Sequence, residues 1–324
     1  MIAHPEDNIF FNRKPDADIP LPRRRGSLEL GEFLDGVADG SIVNIPWPWK
    51  LLTNLTQALM PGTVSMICGD GGIGKTFLLM QCIRFWESLG VSHAVYFVEK
   101  NLKFHLMRLL AQLEGRGCFT SIDWLHDNAE EVTAARMRHE KELDALSRRI
   151  TCTPEKMLTL DDILKWAIRK AETGTRIIMV DPITAVSAGD RRWTKDDEFI
   201  FYCQSKMSKY GASLILTTHP KTGTKPGGSS AGEQAGGSAY HRFTDTTIWV
   251  HRTPKPKSVH IVDHYGNPLA MKLEIFFQLR KVRLARGSHK EIGYIFGDGL
   301  AYAEQGLVTA EMPQSNLIQE DKIP

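Results

Sequence analysis

The sequence has few cysteines and no long apolar run, and both features restrict the class of protein. The five cysteines form no CxxC pair and are Cys68, Cys82, Cys118, Cys152 and Cys203. Such scattered cysteines favour reduced intracellular thiols over a disulfide framework or a zinc site. No stretch approaches the roughly 20 apolar residues of a membrane helix, and the N-terminus lacks the apolar segment of a signal peptide. We therefore expect a soluble, cytoplasmic protein without a membrane partner.

An excess of charge of one sign is also absent. The 324 residues include 40 basic and 38 acidic side chains, which give a formal net charge of +2. This balance creates no strong global field, so binding to a polyanion would depend on local basic patches. Hydrophobic residues make up 42% of the chain, enough for a soluble globular protein with a sizeable core.

The distribution of prolines, charges and apolar residues divides the chain into four parts. Residues 1–26 contain prolines and a run of three arginines, and they are predicted to form a flexible N-terminal arm. Residues 27–45 contain a short amphipathic helix and a linker. The main domain is expected at residues 46–303, and residues 304–324 resemble a C-terminal tail.

Strand-like and helical patterns alternate in the main domain. The predicted strands are 63–68, 94–99, 176–181 and 213–218. The predicted helices are 75–89, 102–114, 129–150, 160–172 and 196–210. This alternation is typical of an α/β fold with a mainly parallel sheet and flanking helices. Three further strand-like runs, TTIWVHR, KLEIFFQLRKVR and EIGYIF, have no helices between them, so we expect antiparallel strands at the C-terminal end.

A glycine-rich segment lies between the first predicted strand and the next helix. The segment GDGGIGKT fits the pattern GxxxxGK[ST] in the structural context that this motif requires. Its glycines let backbone N–H groups cradle phosphate oxygens, Lys75 would reach the β and γ phosphates, and the Thr76 hydroxyl would bind Mg²⁺. The predicted nucleotide-binding residues are Gly69, Asp70, Gly71, Gly72, Ile73, Gly74, Lys75, Thr76 and Phe77.

A second acidic feature is Asp181, which ends the apolar run RIIMVD. In a chain with a phosphate loop, a carboxylate at the end of a buried parallel strand usually holds Mg²⁺ through water. These two motifs leave the class of nucleotide enzyme open. The sequence has no NKxD motif of the kind with which GTPases read the base, and the segment 191–193, RRW, is a candidate for the lid of a small-molecule kinase. An ATP-driven motor would add a catalytic glutamate, a polar sensor and an arginine from a neighbouring subunit.

The order of these segments resembles the RecA-like motor domain of hexameric replicative helicases. These are the DnaB-type proteins and their compact plasmid RepA-type relatives. The segment FVEKNLKFHLMRLL, at 97–110, is similar to the family's strand that ends in a catalytic glutamate, followed by a helix with Met-x-Arg-Leu. The resemblance spans about residues 45–300 and implies a RecA-like P-loop NTPase core.

The resemblance also implies a role for each matching residue. Lys75 and Thr76 would bind ATP and Mg²⁺, Asp181 would hold the metal, and Glu99 would polarise the attacking water. His219, at the end of LILTTHP, would sense the γ-phosphate. DnaB-type proteins usually have glutamine at that position, whereas RepA-type proteins have histidine, so His219 favours the smaller relatives.

The segment QLRKVRLARG, at 278–287, resembles the family's Lys-x-Arg-x-Gly segment. By that resemblance, Lys281 and Arg283 would reach the ATP of the adjacent subunit and stabilise charge in the transition state. The alternative is that these residues are alternating basic side chains on the solvent face of a strand.

Two loops of the family face a central DNA channel, and here they correspond to residues 185–197 and 221–243. A Gly/Ser-rich backbone and a few cations suit contact with a phosphate backbone without sequence preference. A merely disordered loop is an equally good interpretation. The candidate nucleic-acid contacts are Arg191, Arg192, Lys221, Lys225 and Arg242.

The function implied by this resemblance is that of an ATP-dependent DNA helicase. Such a protein would assemble as a homo-oligomeric ring, most simply a hexamer, and would translocate on single-stranded DNA in replication. ATP and Mg²⁺ would be its cofactors, and a primase, an initiator or a loader protein would be a possible partner. The alternative is a RecA-like ATPase switch that loads, regulates or remodels a partner without unwinding DNA.

Overall fold

The computed structural model describes residues 26–153, 155–187, 192–221, 240 and 242–310, with the side chains of 192–194 excepted. The predicted N-terminal arm, except for Gly26, lies outside the described residues, as does the predicted tail beyond residue 310. The chain forms two compact units, Met1–Val43 and Asn44–Pro324. In the first unit, helix α1 spans Gly26–Ala38, which agrees with the short helix expected there.

The second unit is an α/β domain with one nine-stranded sheet. Its described helices are α2 (Lys50–Thr56), α3 (Lys75–Ser88), α4 (Leu102–Glu114), α5 (Ile122–Asp127), α6 (Ala129–Arg138), α7 (Glu140–Ser147), α8 (Leu160–Glu172) and α9 (Arg192–Tyr210). Its strands are β1 (Val64–Gly69), β2 (His93–Phe97), β3 (Ile150–Cys152), β4 (Ile177–Asp181), β5 (Ser213–Thr218), β6 (Thr246–Val262), β7 (Pro268–Val282), β8 (Glu291–Phe296) and β9 (Tyr302–Thr309).

The strands follow the order β3-β2-β4-β5-β1-β6-β7-β8-β9. The pairs from β3 to β6 are parallel, and the pairs from β6 to β9 are antiparallel. The far end of β6 also pairs with β9, at His260–Val262, so the last four strands close on themselves. This topology confirms the predicted mainly parallel sheet with C-terminal antiparallel strands.

The core lies on both faces of the parallel part of the sheet. All six residues of β1 are buried, and successive residues point to opposite faces. Ile67 therefore belongs to the apolar cluster that includes α3, whereas Met66 belongs to the cluster that includes α8 and α9. Burial on both faces explains why β1, β4 and β5 consist mostly of apolar and small polar residues and do not alternate apolar with charged residues.

The predicted helix 129–150 is wrong in one respect, because the chain breaks at His139 into α6 and α7. The His139 imidazole lies 2.7 Å from the Glu114 carboxylate of α4, a tertiary contact that helical periodicity does not reveal. Residues 150–152 then pair with β2 as an edge strand. Pairing with β2 requires an extended backbone, so the end of the predicted helix becomes β3.

The expected domain boundary at residue 303 falls inside the last strand, since β9 continues to Thr309. Pairing with β8 and β6 keeps residues 304–309 in the sheet. None of the helices in the described part of the chain is long and apolar enough to cross a membrane.

A core substitution remote from the phosphate loop tests this packing. Leu164 on α8 is 1% exposed, so Leu164→Ala leaves a cavity and should lower the free energy of unfolding by about 2–5 kcal/mol. Urea denaturation followed by circular dichroism measures this change. Ile122→Ala is the matched control, because Ile122 is 70% exposed and its truncation should change stability by less than about 0.5 kcal/mol. Equal losses in both variants would contradict the assigned core.

Candidate nucleotide-binding site

The phosphate loop connects β1 to α3 and depends on glycine at specific positions. Gly72 and Gly74 have φ angles of +78° and +100°, in the left-handed region that favours glycine. At Gly69, an added Cβ would lie 2.8 Å from the carbonyl oxygen of Val250 on the neighbouring strand. Glycine therefore lets the backbone turn sharply while it packs closely against β6.

Lys75 is buried in this loop, with only 6% of its surface exposed. Its Nζ donates hydrogen bonds to the carbonyl oxygens of Gly69 and Asp70, at 2.6 and 2.9 Å. Burial lowers the pKa of Lys75, and the nearby Asp181 carboxylate opposes that effect. Carbonyl oxygens of the phosphate loop thus hold the ammonium in the place where it would also meet the phosphate oxygens of a nucleotide.

Asp181 ends β4 and is 5% exposed. The Thr76 hydroxyl donates to its Oδ2 at 2.7 Å, and the Thr217 hydroxyl of β5 donates to its Oδ1. Two hydroxyl donors satisfy this buried carboxylate and hold it beside the start of α3.

The oxygen atoms at this position suit Mg²⁺, which prefers one or two carboxylates together with phosphate oxygens and water. Among the described residues, no group of three or more His, Cys, Asp or Glu side chains could hold a metal ion. A metal here would therefore depend on Thr76, Asp181 and the phosphates of a nucleotide. This donor set is compatible with the predicted magnesium site.

Glu99 lies between the end of β2 and the start of α4, and it is exposed. The Asn101 side chain caps α4 by accepting a hydrogen bond from the backbone N–H of Phe104 at 3.1 Å. The chain therefore turns from strand to helix within a few residues. Glu99 lines the same pocket as Lys75 and Asp181, because all three follow parallel strands that end at one edge of the sheet.

His219 follows β5 and lines the pocket beside Lys75. Its Nδ1 lies 3.3 Å from the Lys75 Nζ. Burial lowers the pKa of His219, and the Lys75 ammonium lowers it further. A neutral imidazole can accept a hydrogen bond from Lys75, so His219 connects β5 to the phosphate loop.

Three residues of α4 line the pocket and were not assigned to the site from the sequence: Phe104, His105 and Arg108. The Arg108 guanidinium lies over the Phe104 ring at 3.9 Å and over the Phe77 ring at 4.7 Å. His105 is stacked on Phe97 at 3.9 Å, and burial lowers its pKa to about 4. The i, i+4 spacing of Phe104 and Arg108 after Glu99 is the sequence signal that could have indicated this face.

Lys281 and Arg283 do not join this pocket. Lys281 is opposite Thr247 in β6, whereas the phosphate loop begins at Gly69, opposite Val250. Along β6, Thr247 and Val250 are three residues apart, which is about 10 Å in the strand direction. Arg283 follows Lys281 and lies further from the loop in that direction. Both cations donate to the carbonyl oxygen of Arg242.

The electrostatic surroundings of these two cations differ. Burial lowers the pKa of Lys281 to about 8, and the Arg283 charge contributes in the same direction. The Arg283 guanidinium lies 3.7 Å from the Asp245 carboxylate. Asp245 in turn accepts a hydrogen bond from the Val64 N–H at 2.9 Å, so the start of β1 positions Arg283.

The candidate nucleic-acid residues are only partly described. Arg191 and Lys225 lie outside the described residues, as does the side chain of Arg192. Lys221 is exposed, three residues after the end of β5. Arg242 forms an ion pair with Asp197 of α9 at 3.3 Å, and its guanidinium lies over the Phe243 ring. The Arg242 side chain therefore has partners within its own chain.

A phosphate loop after β1, with acidic residues at the ends of β2 and β4 on the same edge of the sheet, is the arrangement of a P-loop ATPase domain. The family comparison agrees with this class. The chain belongs to the AAA_25 family of AAA domains, whose family model matches residues 32–225. No curated protein matches the sequence significantly.

Two solved structures share the fold. The ATPase domain of G40P is 13% identical, with a TM-score of 0.60 over 87% of this chain and 100% of that chain. A KaiC-like protein, PH0186 from the hyperthermophilic archaeon Pyrococcus horikoshii OT3, is 16% identical, with a TM-score of 0.53 over 82% of this chain and 99% of that chain. These similarities confirm the predicted RecA-like core.

The position of Glu99 leads to a prediction about catalysis. Glu99→Gln keeps the size of the side chain but removes its basicity, so ATP should still bind while turnover falls by about a hundredfold or more. Binding of a fluorescent ATP analogue and release of phosphate measure the two effects separately. Glu140→Gln on α7 is the control, since Glu140 is exposed and does not line the pocket. Normal hydrolysis by Glu99→Gln would exclude Glu99 as the base.

Proposed function

We propose that this protein is an ATP-hydrolysing ring motor that translocates on single-stranded DNA as a replicative helicase. The observation that carries the proposal is the separation of two sets of residues. Lys75, Glu99, Asp181 and His219 surround one pocket, whereas Lys281 does not line it and is offset from the phosphate loop by three residues, about 10 Å, along the strand direction. A site that uses both sets would combine residues from two subunits, and a ring provides this arrangement at every interface.

Each pocket residue would have a separate role in hydrolysis. The phosphate loop and Lys75 would bind the triphosphate, and Thr76 with Asp181 would hold Mg²⁺. A bound Mg²⁺ neutralises charge on the phosphate oxygens as the terminal phosphoryl group leaves. Glu99 would orient the attacking water and accept its proton. His219, which touches Lys75, would report the presence of the terminal phosphate to β5.

The second set would act on the nucleotide of the adjacent subunit. Lys281 and Arg283 are two cations held side by side on one carbonyl oxygen, so they present positive charge together. Cations supplied from a neighbour stabilise the charge that develops during phosphoryl transfer. Hydrolysis in one subunit would then depend on its contact with the next.

Contact with DNA is the part of the proposal that depends on the loops 185–197 and 221–243. Lys221 and Arg242 lie at the two ends of the second loop. Arg242 is linked both to α9 through Asp197 and to Lys281 through its carbonyl oxygen. DNA bound next to Arg242 would therefore act on the cations proposed to face the neighbouring subunit. A primase, an initiator or a loader would act on the assembled ring.

Stimulation by DNA tests the helicase proposal. We expect single-stranded DNA to increase ATP turnover by about tenfold or more, because DNA bound at these loops would position Lys281 and Arg283 productively. Phosphate release with and without a single-stranded oligonucleotide measures this effect, and a forked duplex reports strand displacement. ATP turnover with neither stimulation nor displacement would contradict the helicase function and favour a RecA-like switch that acts on another partner.

A mixing experiment tests the shared site. Lys75→Ala subunits retain Arg283, and Arg283→Ala subunits retain an intact phosphate loop, so mixed rings should recover turnover that neither variant has alone. The control mixes Lys75→Ala subunits with subunits of the double variant Lys75→Ala/Arg283→Ala. No subunit of this mixture has an intact phosphate loop, so the mixed rings should stay inactive. Absence of recovery in assembled mixed rings would argue against a site shared between subunits.

A further inference from the structure

Tyr302, the first residue of β9, lies directly beneath the phosphate loop. It is 2% exposed, and its hydroxyl donates a hydrogen bond to the carbonyl oxygen of Ile73. Burial raises the pKa of Tyr302 above its ordinary value, so the hydroxyl keeps its proton and remains a donor at neutral pH. A residue from the far end of the sheet thus contacts the backbone of the loop that would bind phosphate.

This contact fixes the orientation of one peptide group. The peptide between Ile73 and Gly74 is planar, and in a trans peptide the C=O and N–H bonds point in opposite directions. Because Tyr302 holds the Ile73 carbonyl on the core side, the Gly74 N–H is directed to the opposite side. Gly74 lines the pocket with Lys75 and Thr76. The orientation is therefore the one that offers a backbone N–H to a phosphate oxygen.

The fit between Tyr302 and Gly74 is close. A Cβ added at Gly74 would lie 2.6 Å from the Tyr302 hydroxyl, a distance that neither group could accept without moving. Gly74 also has a φ of +100°, which few other residues adopt. The glycine and the tyrosine hydroxyl therefore determine the path of this peptide together.

Tyr302 is itself held in place from several directions. Its carbonyl oxygen accepts hydrogen bonds from the Trp49 indole at 2.9 Å and from the Gln81 amide at 3.0 Å. Its N–H donates to the Gln81 side chain at 2.8 Å. Its ring packs against Phe277 and Phe296, with centroids 5.3 and 4.8 Å away. Such a fixed group can hold a loop in one conformation.

We propose that Tyr302 is a positioning residue for nucleotide binding, because its hydroxyl holds the Ile73–Gly74 peptide in the orientation that binds phosphate. The ligand that depends on this contact is the polyphosphate part of the nucleotide. The inference rests on the proposed nucleotide site but not on ring formation or DNA unwinding. It assigns a role in ATP binding to the last strand of the sheet.

The test compares two buried tyrosines in the same aromatic cluster. Tyr302→Phe removes only the hydroxyl on Ile73, and it should raise the Kd for a fluorescent ATP analogue with Mg²⁺ by about fivefold to tenfold. KM should rise by a similar factor, while kcat changes less than about twofold, because the interaction serves binding and not the transition state alone. Competition by inorganic tripolyphosphate should weaken to the same extent.

Tyr294→Phe is the matched control. Tyr294 is fully buried and stacks on Phe277 at 3.9 Å, but its hydroxyl donates to Glu304 at 3.3 Å and not to the loop. This variant should keep the Kd within about twofold of the wild type. Thermal unfolding of both variants separates effects on nucleotide binding from effects on stability.

Two outcomes would overturn the inference: an unchanged Kd in Tyr302→Phe, or an equal loss of affinity in both variants. A wild-type protein that binds no ATP would instead contradict the proposed function, so the two failures are distinguishable. If Tyr302→Phe does not fold, hydrogen exchange in the wild type gives the answer. Bound ATP should then slow exchange at residues 69–76 and 300–304 together, and protection of the loop alone would count against the role of Tyr302.

Discussion

Parallel hydrogen bonding among β2, β4, β5 and β1 brings the carboxyl ends of these four strands to one edge of the sheet. Phe97 of β2 pairs with Asp181 of β4, and β1 pairs with both β5 and β6. The phosphate loop, Glu99, Asp181 and His219 all follow directly from these strand ends. Because parallel strands are buried on both faces, the same pairing requires helices above and below the sheet. The position of the pocket and the layered core therefore have a single physical origin.

The pocket contains buried charges, and each has partners that make its burial tolerable. Asp181 accepts hydrogen bonds from two threonine hydroxyls, and Lys75 donates to two carbonyl oxygens of its own loop. A buried charge without such partners would cost several kcal/mol. The hydroxyl and carbonyl groups that satisfy these charges also hold them in place, so the site is organised before a nucleotide arrives. His219, which follows β5, lies beside Lys75 and is a further partner of that ammonium.

The antiparallel strands β6 to β9 position two groups of residues that bear on the proposed site. Near the start of β6, Lys281 and Arg283 are held on the Arg242 carbonyl and do not line the pocket of their own phosphate loop. At the start of β9, Tyr302 reaches under that loop and contacts Ile73. Both placements follow from the antiparallel pairing of β7 and β9 with β6, which brings residues distant in sequence to the β6 side of β1. The C-terminal strands thus connect the nucleotide pocket to the surface proposed to meet the next subunit.

The α/β alternation, the phosphate loop and the acidic ends of the strands could be predicted from the sequence, because each of these is encoded in a few consecutive residues. Glu99 and Asp181 could be placed together in advance, since parallel strands end at one edge. Three features became visible in the folded chain alone: Arg108 lines the pocket, the long helix breaks at His139, and Tyr302 contacts a loop 229 residues earlier. These features depend on which side chains meet across the sheet, and such contacts leave no pattern within a local window of sequence.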